Sequence, residues 1–351
     1  MNKTTDLFLQ LVQIDSPSGH EEKMCLYLQK WLKKNKFQFK IDKVGNIYAT
    51  NNKSGIPLLL CAHMDTVQPG MGIKPVIKDG IIKSSGNTIL GADNKVAIAA
   101  ILTAIETVKS NKALELLFTV KEETGGGVEF FPFEWIKAKQ ALIFDSAKPL
   151  GGIVLRSPYI YNFDAKLSGQ AAHASLPQEG TNAFIPAINA LQQIKVGSLD
   201  DGETTINVGL IKGGTGINTI PDNIVISGEV RSYDKKLFKK HLDNIKKMFE
   251  KEVKKTGVKL EFILDGYCSG YTHTKNNDLI NKIDLVYKNL GLETAFYTYS
   301  GISDANVLNK HGILAINLTD GVKYSHTTKE EVSEQNLILL TTLIIICIQN
   351  L

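Results

Sequence analysis

Residues 114–127 read LELLFTVKEETGGG, and their order decides how the chain folds. An apolar run of strand length ends in two adjacent acids, Glu122 and Glu123, followed closely by three glycines. The same plan recurs on either side. IPLLLCAH ends in His63, with Asp65 two residues on, and ALIFD ends in Asp145. Continuous apolar runs of this kind fit strands covered on both faces. Between them lies KVAIAAILTAIETVKS, residues 95–110, an alanine-rich helix opened by Asp93. Strands alternating with helices imply an α/β sheet, in which ligands gather at strand ends.

Working outward, LFLQLVQI and EEKMCLYLQKWLKK carry apolar residues at helical spacing, separated by SPSGH. FQFKID and NIYAT then read as strands. The middle of the chain changes character. YIYNFDAKLSG is a strand, NAFIPAINALQQI a helix, ETTINVGLIKGG and NIVISGEVRS a hairpin pair, LFKKHLDNIKKMFEKEVKKTG a long helix and VKLEFILDGY a last strand. The order β-α-β-β-α-β makes one small sheet with both helices on one face, a ferredoxin-like α+β arrangement. Helix and strand signals resume in DLINKIDLVYKNLG, TAFYTY and ILAINL. His326, near the C-terminus, brings this last part back to the early candidate ligands, so the middle reads as an insertion into a discontinuous first domain.

A length of 351 residues suits two domains. With 43% hydrophobic and 22% charged residues, the composition is that of a soluble globular protein. A net charge of +4 spread over many lysines gives no dedicated nucleic-acid surface. The lysine-rich stretch 235–259 has apolar residues at helical spacing and reads as the solvated face of an amphipathic helix. The four cysteines, Cys25, Cys61, Cys268 and Cys347, are widely spaced and form no CxxC pair. That argues against disulfides and a cysteine-rich zinc site. The N-terminus lacks a signal-peptide core. The apolar run 337–348 is about two-thirds of the length a membrane span needs, so a buried terminal element is expected. These features point to a cytoplasmic protein without membrane or nucleic-acid partners.

The candidate site residues each have an ordinary explanation. His63-x-Asp65 places two side chains on one face of a strand, where the histidine can bind metal and the aspartate can accept its other ring N–H. Asp93 could simply be a helix N-cap. As a ligand, its two oxygens could bridge two cations roughly 3.5–4 Å apart. Glu122 and Glu123 diverge as neighbours do, so one can ligate metal while the other takes a proton from a water whose pKa the metal has lowered. Asp145 could be a turn residue and His326 a solvent-exposed one. Jointly, the order H-x-D, GAD, EE, D, H at the ends of expected strands points to a two-metal hydrolytic site.

Larger motifs carry a resemblance. FLQLVQIDSPSGHE, CAHMDTV, LGADNKVAIAAIL, VKEETGGG, SGQAAHASLPQEGTNAF, GGTGINTIPDNIVISGEVRS, SGISDANVL and YSHTT together resemble the M20 family of metallopeptidases, most closely its peptidase T (tripeptide aminopeptidase) and peptidase T-like branch. The resemblance spans nearly the whole chain. It implies a zinc-peptidase-like catalytic domain with a mixed sheet, residues 1–155 and 272–351, carrying a lid and dimerisation domain, residues 156–271. It also implies two zinc ions, with cobalt or manganese as alternatives. His63, Asp93 and Asp145 would hold one, and Asp93, Glu123 and His326 the other. Glu122 would be the general base and later the proton donor, and Asp65 would orient His63. His173 would stabilise the oxyanion, reaching across from the partner in a homodimer. Asn218 and Arg231 would bind substrate carboxylate or carbonyl groups. The Asp93–Asn94 peptide bond would be cis.

Two departures stand out. Peptidase T has Asp-Gly-Gly where this chain has Asp145-Ser146-Ala147, and the family often has glycine where Ser175 stands. Three readings follow. The first is a di-zinc tripeptidase or aminopeptidase of short peptides. The second is a deacylase of N-acyl amino acids using the same metals. The third is a binding homologue without turnover. A competing fold, the di-zinc aminopeptidase type with a β-barrel insertion, requires an all-β middle.

Overall fold

The computed structural model describes residues 2–108 and 110–351. Its contacts divide the chain into two units: Met1–Arg156 with His273–Leu351, and Ser157–Thr272.

The first unit is built on a mixed sheet. Its strands run in the order Gln38–Ile41, Ile47–Thr50, Leu114–Thr119, Leu58–His63, Gln140–Phe144, Leu314–Leu318 and Gly152–Ser157, with Ala295–Thr298 also pairing with the last. The four strands from Leu114–Thr119 to Leu314–Leu318 are mutually parallel, so their C-terminal ends share one edge. All six residues of Leu58–His63 and of Leu114–Thr119 are buried, as expected of strands covered on both faces. One covering layer is the helix Ala92–Thr107, buried continuously from Ala92 to Ala104. Lys3–Val12 and Glu334–Asn350 pack beside it, and Phe8, Leu11, Leu337, Leu340 and Ile344 close the core. The terminal apolar run therefore supplies the inner face of Glu334–Asn350. No helix among the described residues is long and apolar enough to cross a membrane.

Two features escaped the sequence reading. Pro75–Lys78, Ile81–Ser84 and Glu331–Ser333 form a separate three-stranded sheet. Asp79 and Gly80 turn the hairpin with φ of 51° and 74°, and an Asp-Gly pair adopts that geometry readily. The strand Gly152–Ser157 extends the main sheet, pairing with Leu314–Leu318 and with Ala295–Thr298.

The second unit is a single antiparallel sheet in the order Gly197–Leu199, Thr204–Gly213, Asn223–Ser232, Tyr159–Ser168 and Lys259–Cys268. Phe163, Ala165 and Leu167 alternate inward from one strand, and Ile224 and Ile226 from its neighbour. They meet Ala187 and Ala190 of the helix Phe184–Leu191 and Phe238, Leu242, Ile245 and Phe249 of Lys235–Val253. This is the expected βαββαβ order with one short edge strand added. The middle is not all-β, which excludes the barrel-insertion fold. The lysines of Lys235–Val253 lie outside its buried stripe.

Candidate metal centre

The parallel strand ends of the first unit set the site. His63 is the last residue of its strand and pairs in register with Thr119, so Glu122 and Glu123 leave the neighbouring strand just beyond it. Asp145 follows Gln140–Phe144 directly. Asp93 sits at the start of Ala92–Thr107 with non-helical φ and ψ of −77° and 108°, after Gly91 in the left-handed region at φ 68°. The Asp93–Asn94 peptide bond is cis. His326 arrives on a loop and also has positive φ, 64°.

These residues converge. The His63 Nε2 atom lies 3.2 Å from Asp93 Oδ1. His326 Nε2 lies 3.3 Å from Asp93 Oδ2 and 2.9 Å from Glu123 Oε1. Each oxygen of Asp93 therefore faces a different histidine. Donor atoms of His63, Asp93 and Asp145 lie within 4.8 Å of one another, as do those of Asp93, Glu123 and His326. His63 Nδ1 is 3.0 Å from the Asp65 carbonyl oxygen, which can accept its N–H, so a neutral ring would offer the Nε2 lone pair to a cation. Imidazole nitrogens and carboxylate oxygens suit zinc, and ligand atoms sharing a tetrahedral ion with bonds of about 2.0–2.1 Å lie about 3.3 Å apart. The residues fit two cations bridged by Asp93.

The electrostatics fit as well. Burial pushes the carboxyls of Glu122 and Asp145 well above the usual range, and the neighbouring acids push them further. Asp93 is held low, because hydrogen bonds with His326 and His63 outweigh its burial. His63 is raised despite burial by Asp65 and Asp93. His326 is raised to about 10 by Asp93 and Glu123. So much buried negative charge is stable only with protons or cations.

Asp65, expected from the sequence to orient His63, holds these loops together with Glu21, Asn94 and Asn317, whose side chains the sequence reading did not single out. The Asp65 carboxylate accepts the Glu122 N–H at 3.0 Å, the Glu123 N–H at 3.2 Å and the Ser18 hydroxyl at 2.7 Å, while its Oδ1 is 3.4 Å from His63 Nδ1. Glu21 accepts the N–H of Lys121, which has φ 54°. Asn94 donates to the Phe144 carbonyl at 2.6 Å. Asn317 accepts the Asp145 N–H at 3.0 Å and donates to the Asp145 carbonyl at 2.9 Å. The one available signal was polarity out of place: Asn317 interrupts the apolar run ILAINL. Gly127 comes so close to Val120 that an added Cβ would overlap its carbonyl oxygen, which accounts for one of the three glycines. Ser146 is buried, and its carbonyl accepts the N–H groups of Lys148 and Asp320.

The remaining candidates belong to the second unit. His173 and Asn218 lie on adjoining loops: Ala174 N–H donates to the Asn218 carbonyl at 2.9 Å, and His173 pairs with Thr219. Ser175 donates its backbone N–H to His173 Nδ1 at 3.2 Å, and its hydroxyl is 2.7 Å from the same atom. An acceptor Nδ1 places the proton of the neutral ring on Nε2. Arg231 is elsewhere. Its Nε and Nη2 clasp both oxygens of Glu229 at 2.6 and 2.8 Å. It lies eight residues, about 26 Å of strand, from Asn223, where the His173 and Asn218 loops begin. Within one chain the structure does not bring Arg231 to them.

Known proteins match this architecture. Residues 160–257 match the family described as a peptidase dimerisation domain, M20_dimer. The uncharacterised protein YqjE of Bacillus subtilis strain 168 is 30% identical, over 97% of this chain and 96% of its own. The crystal structure of aminopeptidase PepT from Bacillus cereus ATCC 10987 is similar at TM-score 0.91 and 31% identity, covering 99% of this chain and 98% of that one. A tripeptidase from Staphylococcus aureus subsp. aureus Mu50 follows at TM-score 0.90 and 31% identity, covering 99% and 97%. Two-ion donor geometry and near-complete overlap in sequence and fold lead to one conclusion: the chain belongs to the M20 family of metal-dependent peptidases, in its peptidase T-like branch.

Proposed function

We propose that this metallopeptidase hydrolyses short peptides as a tripeptidase or aminopeptidase. Two zinc ions would be held by His63, Asp93 and Asp145 and by Asp93, Glu123 and His326. The observation that carries the reading is Asp93, with one oxygen turned to each histidine. Bound there, the ions supply Lewis acidity that lowers the pKa of a water and polarises the scissile carbonyl. Glu122 takes the proton of the attacking water and returns it to the leaving nitrogen, so a C–O bond forms, the C–N bond breaks and the proton is conserved. Burial of Glu122 raises its proton affinity toward that double task. Asp65 keeps Glu122 aimed by holding its backbone.

His173 donates from Nε2 to the oxyanion, with Ser175 holding Nδ1 as acceptor. Asn218 and Arg231 contact the substrate backbone. Because Arg231 stands a strand length from the His173 and Asn218 loops, the three groups serve one substrate only if two copies combine. That supports a homodimer through the second unit, whose match to a dimerisation domain points the same way. The four free cysteines suit a reducing cytoplasm.

The deacylase alternative asks Arg231 to grip a terminal carboxylate. The Nε and Nη2 edge of its fork is engaged by Glu229. A screen of free-amine di- and tripeptides against N-acetylated amino acids, with zinc-loaded and chelated protein, tests the proposal. Tripeptide cleavage lost on chelation is expected. Turnover confined to acylated amino acids would overturn the substrate class, and equal activity without metal would overturn both hydrolase readings.

A further inference from the structure

Glu330 is almost fully buried, at 1% exposure, and belongs to none of the candidate ligand sets. Its Oε2 accepts the Gly91 N–H at 2.7 Å and its Oε1 accepts the Asp93 N–H at 3.0 Å. These amides lie in the turn at the head of Ala92–Thr107, where Asp93 and Asn94 have non-helical φ and ψ, and a buried N–H there needs an acceptor from elsewhere in the chain. A residue at the cap position usually supplies the acceptor, but Gly91 has no side chain. A carboxylate 239 residues further along the chain takes that role.

The same residue is tied to the loop of His326. The Glu330 N–H donates to the Thr327 carbonyl at 3.0 Å, next to His326. Glu331–Ser333 begins immediately afterwards and pairs with Ile81–Ser84, so Glu330 is fixed to a sheet on its C-terminal side. One carboxylate thus links the turn that presents Asp93 to the loop that presents His326.

We propose that Glu330 is a positioning residue that holds the bridging Asp93 in register with His326, so that the Asp93, Glu123 and His326 cation position is formed before an ion arrives. The inference rests on the two-cation reading above. Glutamine is the informative replacement. It offers one oxygen and one NH2 to two N–H donors, so one hydrogen bond is lost and two donors face each other.

The test compares wild-type protein with Glu330→Gln. Zinc is titrated into each chelated protein by calorimetry with a competing chelator, and urea unfolding is measured in parallel. At least one of the two zinc ions should bind at least about tenfold more weakly to the variant, and turnover should recover at saturating zinc. Two wild-type affinities in the variant would overturn the inference even if its stability fell, because a plain helix cap predicts that result. Should the variant not fold, amide exchange in the wild type decides. Gly91 and Asp93 N–H groups protected with and without zinc support the proposal, and rapid exchange overturns it. A wild-type chain that binds no zinc would instead sink the two-cation reading, and this inference with it.

Discussion

The Asp65 carboxylate accepts the Glu122 N–H through one oxygen, at 3.0 Å, and the Glu123 N–H through the other, at 3.2 Å. The residue expected to orient His63 therefore also aims the acidic pair. With both backbones held, Glu123 meets His326, while Glu122 stands within electrostatic reach of His63, Asp304 and Asp93. Asp65→Asn turns an NH2 group toward one of these N–H donors. Turnover should fall about 10–100-fold and zinc affinity should weaken, as is usual when a residue supporting metal ligands is lost. Steady-state kinetics with a zinc competition titration check this, and an unchanged variant would remove Asp65 from both roles.

Glu122→Gln keeps the size of the side chain and removes its capacity to accept the water proton. Both zinc ions should still bind. Activity on a tripeptide should drop by about 10²–10⁴-fold, the range for a general acid–base group. Full turnover in the variant would show that another group carries the proton.

The chelated protein should lose stability as pH rises. Burial pushes the Asp304 carboxyl up to about 6 and that of Glu330 up to about 7, and it raises Glu122 and Asp145 as well. An acid with a raised folded pKa keeps its proton after the unfolded chain has lost it at about pH 4, so stability falls between about pH 4 and 7. His326, raised to about 10, adds in the same direction: its contribution is complete below about pH 6.5 and is lost toward pH 10. Zinc held at the proposed ligands would displace the protons of Asp145 and His326, so the stabilisation it confers should grow with pH. Urea midpoints at pH 5, 7 and 9 with and without chelator test the trend, and a gap that narrows with pH would contradict it.

Asn317→Ala strips Asp145 of partners for both its N–H and its C=O. Leaving one buried amide unsatisfied costs about 1–3 kcal/mol. Urea unfolding of the zinc-free variant should show a loss in that range, and a change below about 0.5 kcal/mol would mean that water or a shifted strand replaces the asparagine.

What the sequence determined follows from information each segment carries by itself. Unbroken apolar runs mark Leu58–His63 and Leu114–Thr119 as covered strands, and alternation marks Tyr159–Ser168 as half-buried. His63, Glu122, Glu123 and Asp145 were legible because side chains able to bind metal stand at or just beyond the ends of such runs, and Asp93 and His326 became legible only jointly with them. Strands as short as Glu331–Ser333 were not, since three residues carry no period. The hairpin at Asp79 and Gly80 had a turn signal but little apolar contrast beside it. Only the tertiary structure decided which oxygen of Asp93 meets which histidine, that Asn317 braces Asp145, and that Glu330 accepts from the Gly91 and Asp93 amides, 239 and 237 residues earlier. A hydrogen bond depends on a few ångströms between groups brought together by the packed sheet, and a linear order of residue types does not contain that distance.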